Sequence, residues 1–118
     1  MKLYQYSKCG TCRNAVKLLK ELNVEYESID ITVQPPTKDE LRIMLASYDG
    51  ELRKLFNVSG IQYRELNMKE RLPAMSDDDA IALLSTNGKL VKRPFVLDRE
   101  GGLVGFKDDE WRGWLMSR

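Results

Sequence analysis

The chain has 118 residues, 42% hydrophobic and 31% charged, with a formal net charge of +1. That length suits one domain with a real core, and the near-neutral balance excludes general attraction to nucleic acid or membrane as the basis of partner choice. No apolar run approaches the roughly 18 residues of a membrane-crossing helix. The amino-terminal MKLYQYSKCG has neither the apolar core nor the small-residue cleavage site of a secretion signal, so a cytoplasmic protein is expected, in a compartment that keeps thiols reduced.

In chain order, the short aromatic-rich KLYQY (Lys2 to Tyr6) predicts a strand. From Thr11 onward, Ala15, Leu18, Leu19 and Leu22 recur at the i, i+3, i+4, i+7 spacing of an amphipathic helix, with Asn23 as its stop. VEYESIDI (Val24 to Ile31) reads as a second strand, parallel to the first because a crossover helix joins them. After the Pro35-Pro36 turn, Thr37 and Glu40 form a capping box for a helix that buries Leu41, Met44, Leu45 and Tyr48, closed by Asp49-Gly50. ELRKLFN suggests a short helix with Leu52, Leu55 and Phe56 inward, and the stretch from Val58 to Met75 mixes loop with helical turns. Ser76 caps a further helix whose first-turn acids, Asp77 to Asp79, complement its dipole and are better explained so than as a cation site. Asn87-Gly88 reads as its C-terminal stop. RPFVLD (Arg93 to Asp98), the turn REGG and the partner strand LVGF then make a hairpin, and a last helix places Trp111, Trp114 and Leu115 on one face. No repeat or linker interrupts this order, so one domain spanning 1–118 is expected, with a helical insertion over approximately 35–88.

The chemistry centres on Cys9 and Cys12, the only cysteines. Structural zinc usually takes four Cys or His ligands, and this chain has no His. A structural disulfide would close a very short loop, where loop entropy offers least, in a reducing compartment. Redox-active thiols are the remaining use of Cys-x-x-Cys between a strand and a helix. At the helix start, unpaired N–H groups and the dipole favour a Cys9 thiolate, with Lys8 and Arg13 adding positive charge. Gly10 is expected to let the chain turn tightly and keep Cys9 accessible, and Thr11 completes the intervening pair. Cys9 is then the nucleophile and Cys12, one turn on, the resolving thiol.

With YSKCGTCRNA, KLFNVSGIQYREL, LVKRPFVLD and VGFKDDEW in this order, the chain resembles the arsenate reductase (ArsC) branch of the thioredoxin-fold superfamily, which includes the Spx/MgsR proteins. The resemblance implies an α/β thioredoxin-like fold, β-α-β then β-β-α, with the helical insertion between the halves. It further implies that Pro94 follows a cis peptide bond beside the cysteine motif. Arg93 would face the reactive thiol, where a guanidinium can stabilise a thiolate or bind an oxyanion.

Three functions follow from the resemblance. The first is a thiol–disulfide redox protein with Cys9, Cys12 and Arg93 at its centre, shaped by Gly10, Thr11 and Pro94 and re-reduced by glutathione or thioredoxin, with no tightly bound cofactor and no metal. The second is an Spx-type redox-sensing regulator that docks on the C-terminal domain of the RNA polymerase α subunit, with Gly50 in SYDGEL at the docking position and no direct nucleic-acid contact. The third is a thiol-dependent arsenate reductase. Against the third, Asn57 and Gly105 stand about where further family arginines would lie, with Lys107 nearby. The lack of a long exposed apolar pattern predicts a monomer.

Overall fold

The computed structural model describes residues 1–99 and 101–118. Its sheet has four strands in the order β2-β1-β3-β4. These are β1 (Lys2–Gln5), β2 (Glu27–Asp30), β3 (Phe95–Leu97) and β4 (Gly102–Val104). β1 runs parallel to β2 and antiparallel to β3, and β3 runs antiparallel to β4. The expected parallel first pair and closing hairpin are therefore both present. Glu100, in the predicted REGG turn, lies outside the described residues.

Both faces of the sheet are covered, because its interior strands are apolar on both sides. Leu3 and Val96 point to one face, where they meet Ala15, Leu18 and Leu19 of α1 (Gly10–Glu21) and Trp111 of α6 (Asp108–Met116). Tyr4, Phe95 and Leu97 point to the other, against α2 (Lys38–Ser47), α3 (Ile61–Glu65), α4 (Met68–Arg71) and α5 (Asp77–Ser85). Paired across the ladder, Tyr4 and Phe95 touch edge to face at 5.7 Å between ring centroids.

Local signals explain most element ends. The Thr37 side chain accepts from the Glu40 N–H at 3.1 Å, and Glu40 Oε1 accepts from the Thr37 N–H at 3.0 Å, completing the capping box. Asn23 (φ 55°) ends α1 in the left-handed region, with the Val24 N–H reaching back to the Leu19 carbonyl. Asp49 and Gly50 end α2 in the same manner, through the Gly50 N–H and the Leu45 carbonyl. The Ser76 hydroxyl accepts from the Asp79 N–H at 3.1 Å, so the acidic run is a helix cap, as expected.

Several boundaries differ from expectation. The second strand is shorter than Val24–Ile31, since the Val24 N–H is committed to the α1 terminus. β3 is shorter than Arg93–Asp98, and Pro94 has no N–H to give a ladder. β4 covers Gly102–Val104 and stops short of LVGF because Gly105, at φ 71°, turns the chain away. Leu22 is 39% exposed and not part of the buried stripe. Gly88 does not end α5 in a left-handed conformation; Thr86 is the C-cap. Its lack of a side chain serves packing instead: a Cβ there would sit 1.6 Å from the Ile31 carbonyl oxygen. Among the described residues no helix is long and apolar enough to cross a membrane.

Candidate active site

Cys9 is the N-cap residue of α1, in extended backbone conformation (φ −94°, ψ 119°). Its carbonyl accepts the first intrahelical bond, from the Arg13 N–H at 3.1 Å, while its own N–H donates to the Tyr6 carbonyl at 3.0 Å. Its sulfur therefore occupies the place a Ser or Asp side chain takes at a helix start, accepting from the Cys12 N–H at 3.4 Å. Cys12, inside the first turn, is fully buried, whereas Cys9 is half-buried. Both thiols are free.

Burial and hydrogen bonding separate the two thiols. Burial alone would raise the Cys9 pKa, but the Cys12 N–H, the Cys12 thiol and the Arg93 guanidinium outweigh it and hold Cys9 below the ordinary thiol value. Cys12 is pushed up to about 12, chiefly by burial; the Tyr6 backbone opposes this, the hydrogen bond and charge of Cys9 reinforce it, and Arg93 has a small lowering effect. The outer thiol is the acidic one.

Positive charge reaches Cys9 from a distant part of the chain. Lys8 and Arg13 are exposed and do not contribute to its shift; Arg93 does, both as donor and as charge. Lys8 and Arg13, the expected source of this charge, are exposed cations screened by water, while Arg93 approaches from the start of β3 in a half-buried setting. The Arg93–Pro94 bond is cis, as the resemblance implied. Arg93 Nη1 is buried without a hydrogen-bond partner among the described residues.

Gly10 is exposed and helical, its φ lies outside the left-handed region, and a Cβ would meet only Arg13 Nη2 at 3.8 Å. Gly10 does not make the expected tight turn: the N-cap geometry belongs to Cys9 itself. Thr11 is an exposed residue of the first helical turn. Tyr6, which the sequence marks only as the end of a strand, joins the site in the folded chain. Its ring centroid lies 5.3 Å from the Arg93 guanidinium carbon. The available signal was an aromatic residue just before the cysteine motif, which is uninformative until Arg93 is placed.

The model of the ArsC family matches residues 4–114. The chain belongs to the ArsC family. It is 48% identical over 108 residues to the uncharacterized protein YusI of Bacillus subtilis (strain 168), covering 92% of each. It is 26% identical over 113 residues to the global transcriptional regulator Spx of Streptococcus pyogenes serotype M1, spanning 96% of this chain and 83% of that one. A solved structure from Bacteroides fragilis, described as ArsC family related, matches with a TM-score of 0.88 at 44% identity over 95% of this chain and 94% of that one. Another, from Streptococcus mutans UA159 and described as a possible arsenate reductase, matches with a TM-score of 0.86 at 36% identity over 94% of this chain and 96% of that one. The fold is the thioredoxin-like α/β fold of these ArsC-family structures.

At the two positions where the resemblance implied that further family arginines would lie, the backbone makes local hydrogen bonds and turns. The Asn57 N–H donates to the Leu90 carbonyl at 2.8 Å. Gly105 takes a left-handed turn, and its carbonyl accepts from Trp111 Nε1 at 2.9 Å. Lys107 is an exposed residue preceding α6. Gly50 lies apart from the cysteines, beside an open cavity of about 710 Å³ with Leu52, Arg53, Tyr63, Lys69 and Leu72 in its walls. No atom lies within 4 Å of a Cβ built on Gly50, so its φ of 80°, and not crowding, favours glycine there.

Proposed function

We propose that the protein is a thiol–disulfide redox protein in which Cys9 attacks and Cys12 resolves. The observation that carries this is the pairing of a half-exposed, acidified N-cap thiol with a buried thiol one helical turn away. The Cys9 thiolate attacks one sulfur of a substrate disulfide, forming a mixed disulfide and expelling the other sulfur as a thiolate. That step removes the Cys9 negative charge, one of the two causes besides burial that hold Cys12 protonated, so Cys12 becomes easier to ionise when it must act. The Cys12 thiolate then attacks Cys9 Sγ, giving the Cys9–Cys12 disulfide and releasing the second substrate sulfur as a thiolate, which takes up a proton. Two electrons have passed to the substrate, and an external thiol, glutathione or thioredoxin, returns them.

Arg93 gives this site one guanidinium, and its unpartnered buried Nη1 is compatible with a small anion beside Cys9. Tight arsenate capture favours several such donors, and Asn57 and Gly105 do not supply them. Disulfide exchange is therefore preferred over arsenate reduction. The test is NADPH consumption through a thioredoxin or glutathione recycling system, with an added disulfide or arsenate, and Cys9→Ser as blank. Disulfide-dependent turnover supports the proposal; arsenate-dependent turnover alone replaces it with the reductase.

A second reading is favoured by the open setting of Gly50 and its cavity. Here the same disulfide acts as a switch, and the Gly50 surface docks the C-terminal domain of the RNA polymerase α subunit. Absence of turnover, with Cys9–Cys12 still cycling, favours this reading. Equal binding of that domain by both redox forms and by Gly50→Arg overturns it.

A further inference from the structure

We propose that Tyr6 is a positioning residue of the Cys9 site: its ring seats the Arg93 guanidinium against the thiolate while its backbone carbonyl holds the Cys9 N–H. Two contacts converge on this residue. The ring centroid lies 5.3 Å from Arg93 Cζ, and the carbonyl accepts from the Cys9 N–H at 3.0 Å. Tyr6 is half-buried and packs against the core that fills the α2–α5 side of the sheet, so its ring has a fixed support. Arg93 has a particular need for such a seat. Its Nη1 is buried without a hydrogen-bond partner, and it is not among the residues in ion pairs within the described chain. An aromatic face compensates a partly desolvated cation electrostatically without neutralising it. A carboxylate in the same place would pair with the guanidinium and cancel the positive field that Cys9 uses.

The inference rests on Arg93 acting on a Cys9 thiolate. The test is the pH dependence of Cys9 alkylation by iodoacetamide in the full reduced chain, located by mass spectrometry, for Tyr6→Phe, Tyr6→Leu, Arg93→Met and the Tyr6→Leu/Arg93→Met pair. Because alkylation follows the thiolate fraction, Tyr6→Leu should move the inflection upward and slow alkylation below it by about threefold or more, the scale of a lost cation–π contact. Tyr6→Phe should keep the native profile, and the double variant should match Arg93→Met alone. A pentafluorinated phenylalanine placed at Tyr6 keeps the ring's shape while reversing its electrostatic face, and should behave as Tyr6→Leu even if the leucine variant folds poorly. An upward shift in Arg93→Met without one in the fluorinated variant overturns the role of Tyr6 alone. No shift in Arg93→Met overturns the Arg93 premise with it.

Discussion

The Cys12 N–H donates to Cys9 Sγ at 3.4 Å, so the resolving residue helps ionise the attacking one before it takes any part in exchange. Arg93 adds to this effect, while burial and the Cys9 charge keep Cys12 protonated. The reduced protein should therefore show two well-separated thiol titrations. Iodoacetamide at pH 7 should label Cys9 strongly and Cys12 hardly at all, with Cys12 gaining reactivity only as the pH approaches about 12. Equal labelling of both at neutral pH would remove the assigned roles.

Substituting the cysteines singly should separate attack from resolution. Cys9→Ser should abolish exchange with a model disulfide, because the remaining thiol is fully buried. Cys12→Ser should still attack and then stall, leaving a stable adduct on Cys9 visible by mass spectrometry. A Cys9→Ser protein that still turns over substrate would contradict the order of events.

Tyr4 and Glu40 tie the sheet to α2. The Tyr4 hydroxyl, on an interior strand, donates to Glu40 Oε1 at 2.6 Å, and Lys2 Nζ lies 3.3 Å from Oε2. Burial pushes the Tyr4 pKa up, with the Glu40 hydrogen bond and charge acting in the same direction. Glu40 is held below its ordinary value: burial opposes this, but Tyr4, the Thr37 N–H and Lys2 prevail. Glu40→Ala should destabilise the fold by about 1–3 kcal/mol in urea unfolding, the cost of stranding a buried hydroxyl together with a lost cap. The pH dependence has two arms. The Glu40 contribution is present above its unfolded pKa and lost as pH falls through the lower folded value. The Tyr4 contribution is present below its unfolded pKa and lost as pH rises toward the higher folded value. Glu40→Ala should flatten the acid arm.

Two glycines should respond oppositely to alanine. At Gly10 a Cβ would make only an ordinary contact with Arg13 Nη2 at 3.8 Å in helical backbone, so Gly10→Ala should raise stability by about 0.5 kcal/mol and leave Cys9 alkylation unchanged. At Gly88 a Cβ would collide with the Ile31 carbonyl, and Gly88→Ala should cost about 2–3 kcal/mol by forcing the backbones apart. Thermal unfolding of the two variants against the parent measures both.

Much of the fold is legible in the sequence because its signals are local. The Thr37–Glu40 box, the Asn23 and Asp49-Gly50 stops and the Ser76 cap each operate within one or two helical turns. The alternation that sends Leu3 to one side of the sheet and Tyr4 to the other follows from the strand period alone. Errors arise where a residue's duty lies across the fold. Gly88 looks like a helix stop although its neighbour is Ile31, and Lys8 and Arg13 look like the source of a field that Arg93 provides.

The sequence by itself therefore determined the paired thiols at a helix start, the strand and helix order around them, and which cysteine stands first. Backbone hydrogen bonding and side-chain periodicity act between near neighbours and leave a direct trace in residue order. The cation at Cys9, the ring behind that cation and the buried state of Cys12 were decided only when the chain closed on itself. Arg93 and Tyr6 are 87 positions apart in the numbering. Electrostatic influence depends on distance and burial in three dimensions, and neither quantity is written in spacing along the chain.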